Sequence, residues 1–231
     1  MDYLFATPTI QTVPVKGETA LYPVNRVFCV GRNYVAHATE MGGEVDREAP
    51  WYFTKSAQAV CMSGETVPYP PGTSNFHHEM ELAIALGGPA FKADLEEAQA
   101  AIYGYGSALD MTRRDRQQDG KDNRRPWSLG KDVENSAVLA EFTRVADAGN
   151  LAEKRIHLSV NGEIRQDATL AEMVWSVAEI VSHLSAYYHL QAGDVILTGT
   201  PAGVGPVVAG DKITGGIDGF APISLNLSAA E

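Results

Sequence analysis

Two glutamates separated by a single residue, Glu79 and Glu81, have a spacing that suggests chemistry. Residues two apart on a β-strand project from the same face, so the two carboxylates would lie side by side. Like charges held that close destabilise a strand unless a cation lies between them. A divalent metal ion is the simplest such cation, although an isolated Glu-x-Glu pair is also typical of the solvent face of an edge strand.

A third carboxylate, Asp110, follows a predicted strand that contains Gly104 and Gly106. A side chain at a strand end can turn into a cleft, and three carboxylates would form an all-oxygen site. Such a site suits Mg²⁺ or Mn²⁺, and also Ca²⁺, better than zinc, because no Cys/His spacing for zinc is present. The alternative is an ordinary helical ion pair between Asp110 and Arg114, four residues apart.

His37 and Glu40 form the second candidate group. They lie three apart on a predicted short helix from Val35 to Met41, so they share a face. A histidine oriented by a carboxylate can act as a general base, although a lone histidine is more often structural. The polar, glycine-bearing segment Gly42–Pro50 is predicted to be a mobile lid.

Four further residues could hold the oxygens of an acidic substrate. Arg114 and Gln117 are three apart on a predicted helical turn, and a guanidinium matches the two oxygens of a carboxylate. Thr200 lies in a glycine-rich loop and can offer both its hydroxyl and its backbone N–H. Arg32 follows a short strand, where it either contacts substrate or braces the strand end.

The strand that would position the glutamates has apolar residues at every second position, namely Met80, Leu82, Ile84 and Leu86. This period predicts one buried face, with small alanines beside the glutamates on the other. Asn161-Gly162 predicts a hairpin turn, and two capping boxes, Asp94 with Glu97 and Thr169 with Glu172, each predict a helix start. Further strands are predicted at 27–30, 51–55, 103–109, 156–160, 194–197, 212–217 and 221–227.

Predicted strands outnumber helices and do not alternate with them regularly. This pattern favours an α+β, strand-rich fold, a mixed β-roll or β-sandwich with a few short helices. The length of 231 residues fits one large domain, residues 26–231, preceded by an arm or edge hairpin, residues 1–25, that three prolines interrupt.

The net charge of −11 argues against nucleic acid or an anionic membrane as a partner. Cys29 and Cys61 lie in apolar surroundings and are expected to be buried thiols. The sequence shows neither a basic-then-apolar leader nor an apolar run long enough to cross a bilayer, so we expect a cytoplasmic protein.

Several motifs together resemble the fumarylacetoacetate hydrolase family, in its short acylpyruvate hydrolase branch. The resemblance runs from about Val27 to the end of the chain, and residues 1–25 carry little of it. The matching stretches are Gly31-Arg32-Asn33-Tyr34, His77-His78-Glu79-Met80-Glu81-Leu82, Leu109-Asp110-Met111-Thr112-Arg113-Arg114-Asp115-Arg116-Gln117, Pro126-Trp127-Ser128-Leu129-Gly130-Lys131, Val160-Asn161-Gly162-Glu163-Ile164-Arg165-Gln166 and Ile196-Leu197-Thr198-Gly199-Thr200-Pro201-Ala202-Gly203-Val204-Gly205.

The resemblance implies a mixed β-roll that forms a homodimer. It also implies that the three carboxylates bind the metal, that Lys131 faces the site, and that His37 and Glu40 form a dyad on a closing lid. Without its motif, Lys131 would be interpreted as a solvated surface lysine. One departure is the acidic continuation Asp132-Val133-Glu134-Asn135 after Lys131, where a carboxylate is expected to alter either the charge of the pocket or the distal contact of the substrate.

The expected reaction is metal-dependent hydrolysis of a C–C bond in an acylpyruvate, an anionic 2,4-dioxo acid. Fumarylpyruvate, which would give fumarate and pyruvate, is the favoured substrate. Decarboxylation or tautomerisation of oxaloacetate is the alternative, since it uses the same metal-stabilised pyruvate enolate. A non-enzymatic β module that binds a divalent ion for structural reasons is the third hypothesis.

Overall fold

Strands dominate the fold of this chain. The computed structural model describes residues 2–42 and 47–231, so residues 43–46 of the predicted lid lie outside the described residues. Three single 3₁₀ turns cover Ala57–Ala59, Leu151–Glu153 and Leu170–Glu172. The helices are α1 (Val35–Glu40), α2 (Leu95–Ala100), α3 (Arg114–Asp122), α4 (Ser128–Lys131), α5 (Val145–Ala148) and α6 (Val177–Ser185).

The strands are short, and the longest of them, with nine residues, lies near the centre of the largest sheet. They are β1 (Thr12–Val13), β2 (Tyr22–Pro23), β3 (Val27–Val30), β4 (Tyr52–Lys55), β5 (Val60–Met62), β6 (Thr66–Pro68), β7 (Phe76–His78), β8 (Met80–Leu86), β9 (Ile102–Asp110), β10 (Thr112–Arg113), β11 (Ala137–Leu139), β12 (Thr143–Arg144), β13 (Arg155–Val160), β14 (Glu163–Thr169), β15 (Val195–Leu197), β16 (Gly205–Val207), β17 (Lys212–Ile217) and β18 (Ile223–Ser228).

The main sheet has eight strands in the order β4-β3-β15-β8-β9-β11-β5, with β12 added beside β9. It is mixed, because β15 pairs parallel to β3 and β11 parallel to β5, whereas β8 and β9 are antiparallel. A second sheet has the order β14-β13-β17-β18-β6, and a small third sheet has the order β10-β7-β16. The predicted strand-rich α+β class with few short helices is confirmed.

Strand β8 lies at the centre of the main sheet, between β15 and β9. Alternation in its sequence predicts one buried face, but all seven residues are buried. The second face is covered because Ala83 and Ala85 pack in a cluster with Val13 and Tyr22 from the N-terminal segment. Small side chains are therefore required there, since other side chains already occupy the space above them.

The N-terminal segment pairs β1 with β2 in antiparallel fashion. The Tyr22 hydroxyl donates to the carbonyl oxygens of Leu86, at 2.8 Å, and Asp194, at 2.9 Å. These bonds join the segment to the ends of β8 and β15, so it covers the main sheet on the face opposite the larger core cluster.

The second predicted capping box needs a correction. Thr169 and Glu172 do form it, but it opens only a 3₁₀ turn, and α6 starts at Val177 with its own capping box. The physical reason is a tertiary contact. The backbone N–H groups of Val174 and Trp175 donate to Asn33, at 2.8 and 2.7 Å, which takes them out of helical bonding.

Other local predictions are confirmed. Asp94 and Glu97 form a capping box at α2, and Asn161-Gly162 turns between β13 and β14 with φ values of 52° and 85°. Both cysteines are free and buried. Within residues 2–42 and 47–231, no helix is long and apolar enough to cross a membrane.

Candidate active site

The three predicted carboxylates come together at the end of the central strand pair. Glu79 lies between β7 and β8, Glu81 is on β8, and Asp110 ends β9. The N–H of Asp110 donates to the carbonyl of Glu79 at 2.9 Å, which ties the two segments together. One oxygen from each carboxylate lies within 4.8 Å of the others, and all three residues are buried. We call these three residues the carboxylate cluster.

The donor set of the carboxylate cluster fits a hard divalent cation. Every available ligand atom is a carboxylate oxygen, the type that Mg²⁺ and Mn²⁺ prefer. The Oδ1 atom of Asp110 is buried, and among the described residues no aligned donor satisfies it, although the Lys55 ammonium is 2.9 Å away. The cluster therefore keeps acceptor capacity that a cation can use.

The surroundings act differently on the two glutamates. Burial together with Asp110 and Glu79 raises the pKa of Glu81 well above its ordinary value. Burial also opposes ionisation of Glu79, but the Lys131 and Arg114 cations outweigh it and lower its pKa. The site therefore holds one carboxylate fixed as an anion beside another that needs a further cation to ionise.

Lys131 lies inside the site and not on the surface. Its residue is 2% exposed, and its ammonium donates to Glu79, Asp110 and Thr112, each at 2.7 Å. Burial alone would lower its pKa, but Asp110 and Glu79 prevail and raise it. Lys131 is therefore a protonated ammonium that bridges two members of the carboxylate cluster.

A second buried lysine, Lys55, was missed by the sequence analysis. Its residue is 3% exposed, and its ammonium lies 2.9 Å from Asp110. It also donates to the Met111 carbonyl at 3.1 Å, to the Ser136 hydroxyl at 2.8 Å and to the carbonyl of Lys131. Lys55 thus fixes the Asp110 carboxylate and the end of α4 together. The sequence carries no signal for this role, because Lys55 is the last residue of its strand, where a lysine commonly reaches solvent.

Arg114 and Gln117 are both buried and face the carboxylate cluster from α3. Arg114 pairs with Glu79 and donates to the Gln117 side-chain oxygen at 2.7 Å. Among the described residues it makes no ion pair with Asp110, so the alternative of an i,i+4 helical pair is wrong. Arg32 lies half-buried just after β3. Its positive charge is one of those that lower the pKa of Lys121.

The glycine loop after β15 closes another side of the site. The N–H of Gly199 donates to Glu81 at 2.7 Å, and Gly199 has a φ of +92° with the Asn33 side chain against its Cα. The hydroxyl of Thr200 is already engaged, because it donates to the Met80 carbonyl and accepts from Gln166, both at 2.8 Å. Its backbone N–H donates to no acceptor within the described ranges, so only this half of the expected pair of donors remains available.

His37 and Glu40 lie together on α1. His37 is 5% exposed, and its Nδ1 is 3.3 Å from a carboxylate oxygen of Glu40. That carboxylate also accepts from the Gly203 N–H, at 3.0 and 3.2 Å from its two oxygens. Burial lowers the pKa of His37, while the Glu79 and Glu40 charges oppose this. The imidazole is therefore neutral at neutral pH, and Glu40 joins it to the glycine loop whose Gly199 contacts Glu81.

The comparisons with known proteins agree on one family. The family model for the fumarylacetoacetate (FAA) hydrolase C-terminal domain matches residues 26–227. The chain is 50% identical over 194 residues to the fumarylpyruvate hydrolase of a Ralstonia species, covering 83% of this chain and 100% of that protein. It is 42% identical over 199 residues to the oxaloacetate tautomerase YcgM of Escherichia coli K12, covering 86% and 90%.

A solved structure gives the same result for the fold. The fumarylpyruvate hydrolase of Pseudomonas aeruginosa, solved in complex with Mn²⁺ and pyruvate, superposes with a TM-score of 0.94 at 40% identity. The match covers 99% of this chain and 100% of that one. Sequence, fold and the buried carboxylate cluster together establish that this chain belongs to the fumarylacetoacetate hydrolase family.

Proposed function

We propose that this protein hydrolyses the C3–C4 bond of an acylpyruvate, and that fumarylpyruvate, cleaved to fumarate and pyruvate, is its substrate. The observation that carries this proposal is the carboxylate cluster bridged by the Lys131 ammonium, together with the His37–Glu40 pair that Gly203 joins to the adjacent glycine loop. The relatives named fumarylpyruvate hydrolase, one of them solved with Mn²⁺ and pyruvate, support the same substrate.

Glu79, Glu81 and Asp110 would hold the metal, Mg²⁺ or Mn²⁺. When bound there, the ion supplies a Lewis acid that polarises substrate oxygens and orients the 2-oxo acid. The protein supports this with a buried site in which each carboxylate already has at least one hydrogen-bond donor. Such a site needs little reorganisation during the reaction.

Arg114, Gln117 and the backbone N–H of Thr200 would bind the carboxylate and oxo groups at the pyruvate end. Arg114 and Gln117 are held in place by their own hydrogen bond and by Glu79. Arg32 contributes positive charge on the same side, which matters because the protein as a whole carries a net charge of −11. The bound substrate is thereby oriented for attack at its 4-carbonyl carbon.

His37 then accepts a proton from the attacking water. With its Nδ1 proton directed at Glu40, its Nε2 is the basic nitrogen, and the Glu40 carboxylate stabilises the imidazolium that forms. As the C3–C4 bond breaks, negative charge develops on the pyruvate enolate. The Lys131 ammonium, which contacts two of the carboxylates that would hold the metal, would stabilise this developing charge more than it stabilises the ground state.

A second candidate is decarboxylation or tautomerisation of oxaloacetate, which the 42% identity to an oxaloacetate tautomerase favours. Steady-state assays with Mg²⁺ and each substrate separate the two. We expect a larger kcat/KM for fumarylpyruvate, and faster turnover of oxaloacetate would reject our choice. Turnover of neither substrate would favour the non-enzymatic, ion-binding module.

The proposal extends to the setting of the enzyme. We place it in the cytoplasm as a homodimer that takes part in the breakdown of aromatic compounds, as the family resemblance implies. A monomeric mass in light scattering at assay concentration would contradict the dimer.

A further inference from the structure

An aromatic cleft opens beside Lys131, and no role has yet been given to it. Its volume is about 340 Å³, and its walls include Trp51, Phe53 and Trp127 together with Lys131 itself. The rings of Trp51 and Trp127 meet edge to face at 4.7 Å. We call these four residues and the space between them the aromatic cleft.

The aromatic cleft adjoins the carboxylate cluster through Lys131, which lines the cleft and pairs with Glu79 and Asp110. Alternate residues of a strand share a face, so Trp51 and Phe53 project from the same side as Lys55, which reaches Asp110. The alternation extends to Trp51 because its carbonyl accepts from the Gly31 N–H at 3.0 Å, beside β4. The Lys131 ammonium lies 4.8 Å from the centre of the Phe53 ring, so it contacts the cluster and the cleft at once.

Gly31 allows the wall to form. A Cβ atom on Gly31 would overlap the ring of Trp51, so only glycine lets this ring lie directly on the backbone after β3. The Trp51 indole therefore contacts both the main chain at Gly31 and the ring of Trp127. Two fixed aromatic walls provide a binding surface for a flat group.

Lys121 lies beside Trp127, one of the walls of the aromatic cleft. On α3, residues 114, 117 and 121 share one face, so Lys121 extends the line of Arg114 and Gln117, about 10 Å along the helix axis from Arg114. Its ammonium lies 5.2 Å from the centre of the Trp127 ring. Within residues 2–42 and 47–231 it makes no ion pair. Burial and the neighbouring Arg114 and Arg32 charges lower its pKa.

Asp132, the acidic residue that follows Lys131, does not pair with the Lys121 ammonium. The Asp132 carboxylate accepts from the backbone N–H of Ser56 at 2.8 Å and from its hydroxyl at 2.9 Å. It is thereby held at the start of the 3₁₀ turn after β4, and it is not part of the cleft wall.

We propose that the aromatic cleft binds the acyl group of the substrate and that Lys121 binds a terminal carboxylate on that group. The assignment rests on the proposed hydrolysis of an acylpyruvate, and it names the substrate class. The class consists of acylpyruvates whose acyl group is flat, unsaturated and ends in an anion. A flat conjugated group packs against the indole faces, and its carboxylate reaches the ammonium beyond Trp127.

The test compares two substrates in three proteins. Fumarylpyruvate has the terminal carboxylate and acetylpyruvate lacks it. We expect Lys121→Met to lower the ratio of their kcat/KM values about tenfold or more, mainly by raising the KM of fumarylpyruvate, because a hydrogen bond to a charged group is lost. Lys121→Arg, which keeps the charge, should retain most of the ratio. An unchanged ratio in Lys121→Met overturns the assignment, as does an equal loss with both substrates.

A binding measurement separates the subsite from the reaction. Calorimetric titration with fumarate, in Mn²⁺ and saturating pyruvate, should give about tenfold weaker binding to Lys121→Met than to the unchanged protein or to Lys121→Arg. Equal affinity for all three proteins overturns the subsite. If the unchanged protein hydrolyses neither acylpyruvate, the proposed reaction fails, while binding of fumarate that depends on Lys121 still supports the subsite.

Discussion

The carboxylate cluster and the helix that carries His37 are built in different ways. The cluster lies on the two longest strands of the main sheet, or directly beside them, and Glu79 and Asp110 each contact two cations. Helix α1 has six residues, and no side chain caps its start. His37 has one side-chain partner among the described residues, Glu40, which is itself partly exposed.

This difference follows from the different requirements of metal binding, by the carboxylate cluster, and of proton transfer, by His37. Charges that share a cation must stay buried and close together, and that requires several partners for each one. A general base needs access to water and a pKa below the working pH, so a short helix at the edge of the site is sufficient. The hydrogen bond from the Gly203 N–H to Glu40 joins this helix to the glycine loop that contains Thr200. We therefore expect substitutions in the two regions to separate metal binding from catalysis.

Asp110→Asn should have the largest effect. It keeps the shape of the side chain but removes a charge that both Lys55 and Lys131 contact. We expect weaker Mn²⁺ binding, a fall in kcat/KM of about 10³-fold or more, and a loss of unfolding free energy of about 3 kcal/mol. Calorimetric titration with Mn²⁺, steady-state assays and urea denaturation measure the three effects.

Asp122→Asn is the matched control, because Asp122 is an exposed carboxylate on α3 whose one hydrogen-bond donor among the described residues is Gln118. It should leave all three quantities close to those of the unchanged protein. Normal Mn²⁺ affinity in Asp110→Asn would show that the carboxylate cluster does not act as one unit.

His37→Gln should abolish most turnover without affecting the carboxylate cluster. General base catalysis contributes about 10²- to 10⁴-fold, so kcat should fall by about 10³. Mn²⁺ affinity should stay near that of the unchanged protein, because His37 makes no hydrogen bond to the cluster among the described residues. His157→Gln, at a half-buried histidine on β13, is the control. Parallel loss of Mn²⁺ binding and turnover in His37→Gln would contradict the separation of the two regions.

The sequence predicts the cluster better than it predicts what surrounds it. Period-2 alternation and a strand end are local features, and they are sufficient to place Glu81 and Asp110 in the same cleft. Lys55 could not be found in this way, because a lysine that ends an apolar strand has the pattern of a strand reaching solvent. Its burial depends on Asp110 and Ser136, which are distant in the chain. Only the fold brings these partners together.

Two other differences between the sequence predictions and the structure also arise from contacts between residues that are distant in the chain. The helix predicted from Thr169 starts late because Asn33, more than a hundred residues away, takes two backbone N–H groups. The second face of β8 is buried because the N-terminal segment lies over Ala83 and Ala85. In each case a tertiary contact overrides a correct local signal.

Glu40→Gln should have the smallest effect, and it tests how α1 tunes its base. Burial lowers the pKa of His37 and the Glu40 carboxylate partly restores it. Because the base is active when neutral, activity is lost as the pH falls through this pKa. Removing the charge should move the acid limb of the kcat/KM profile to lower pH and reduce the plateau about tenfold. Glutamine keeps an oxygen that can accept from Gly203, so the helix should stay attached to the glycine loop. An acid limb that stays in place or moves to higher pH would show that Glu40 does not act on His37.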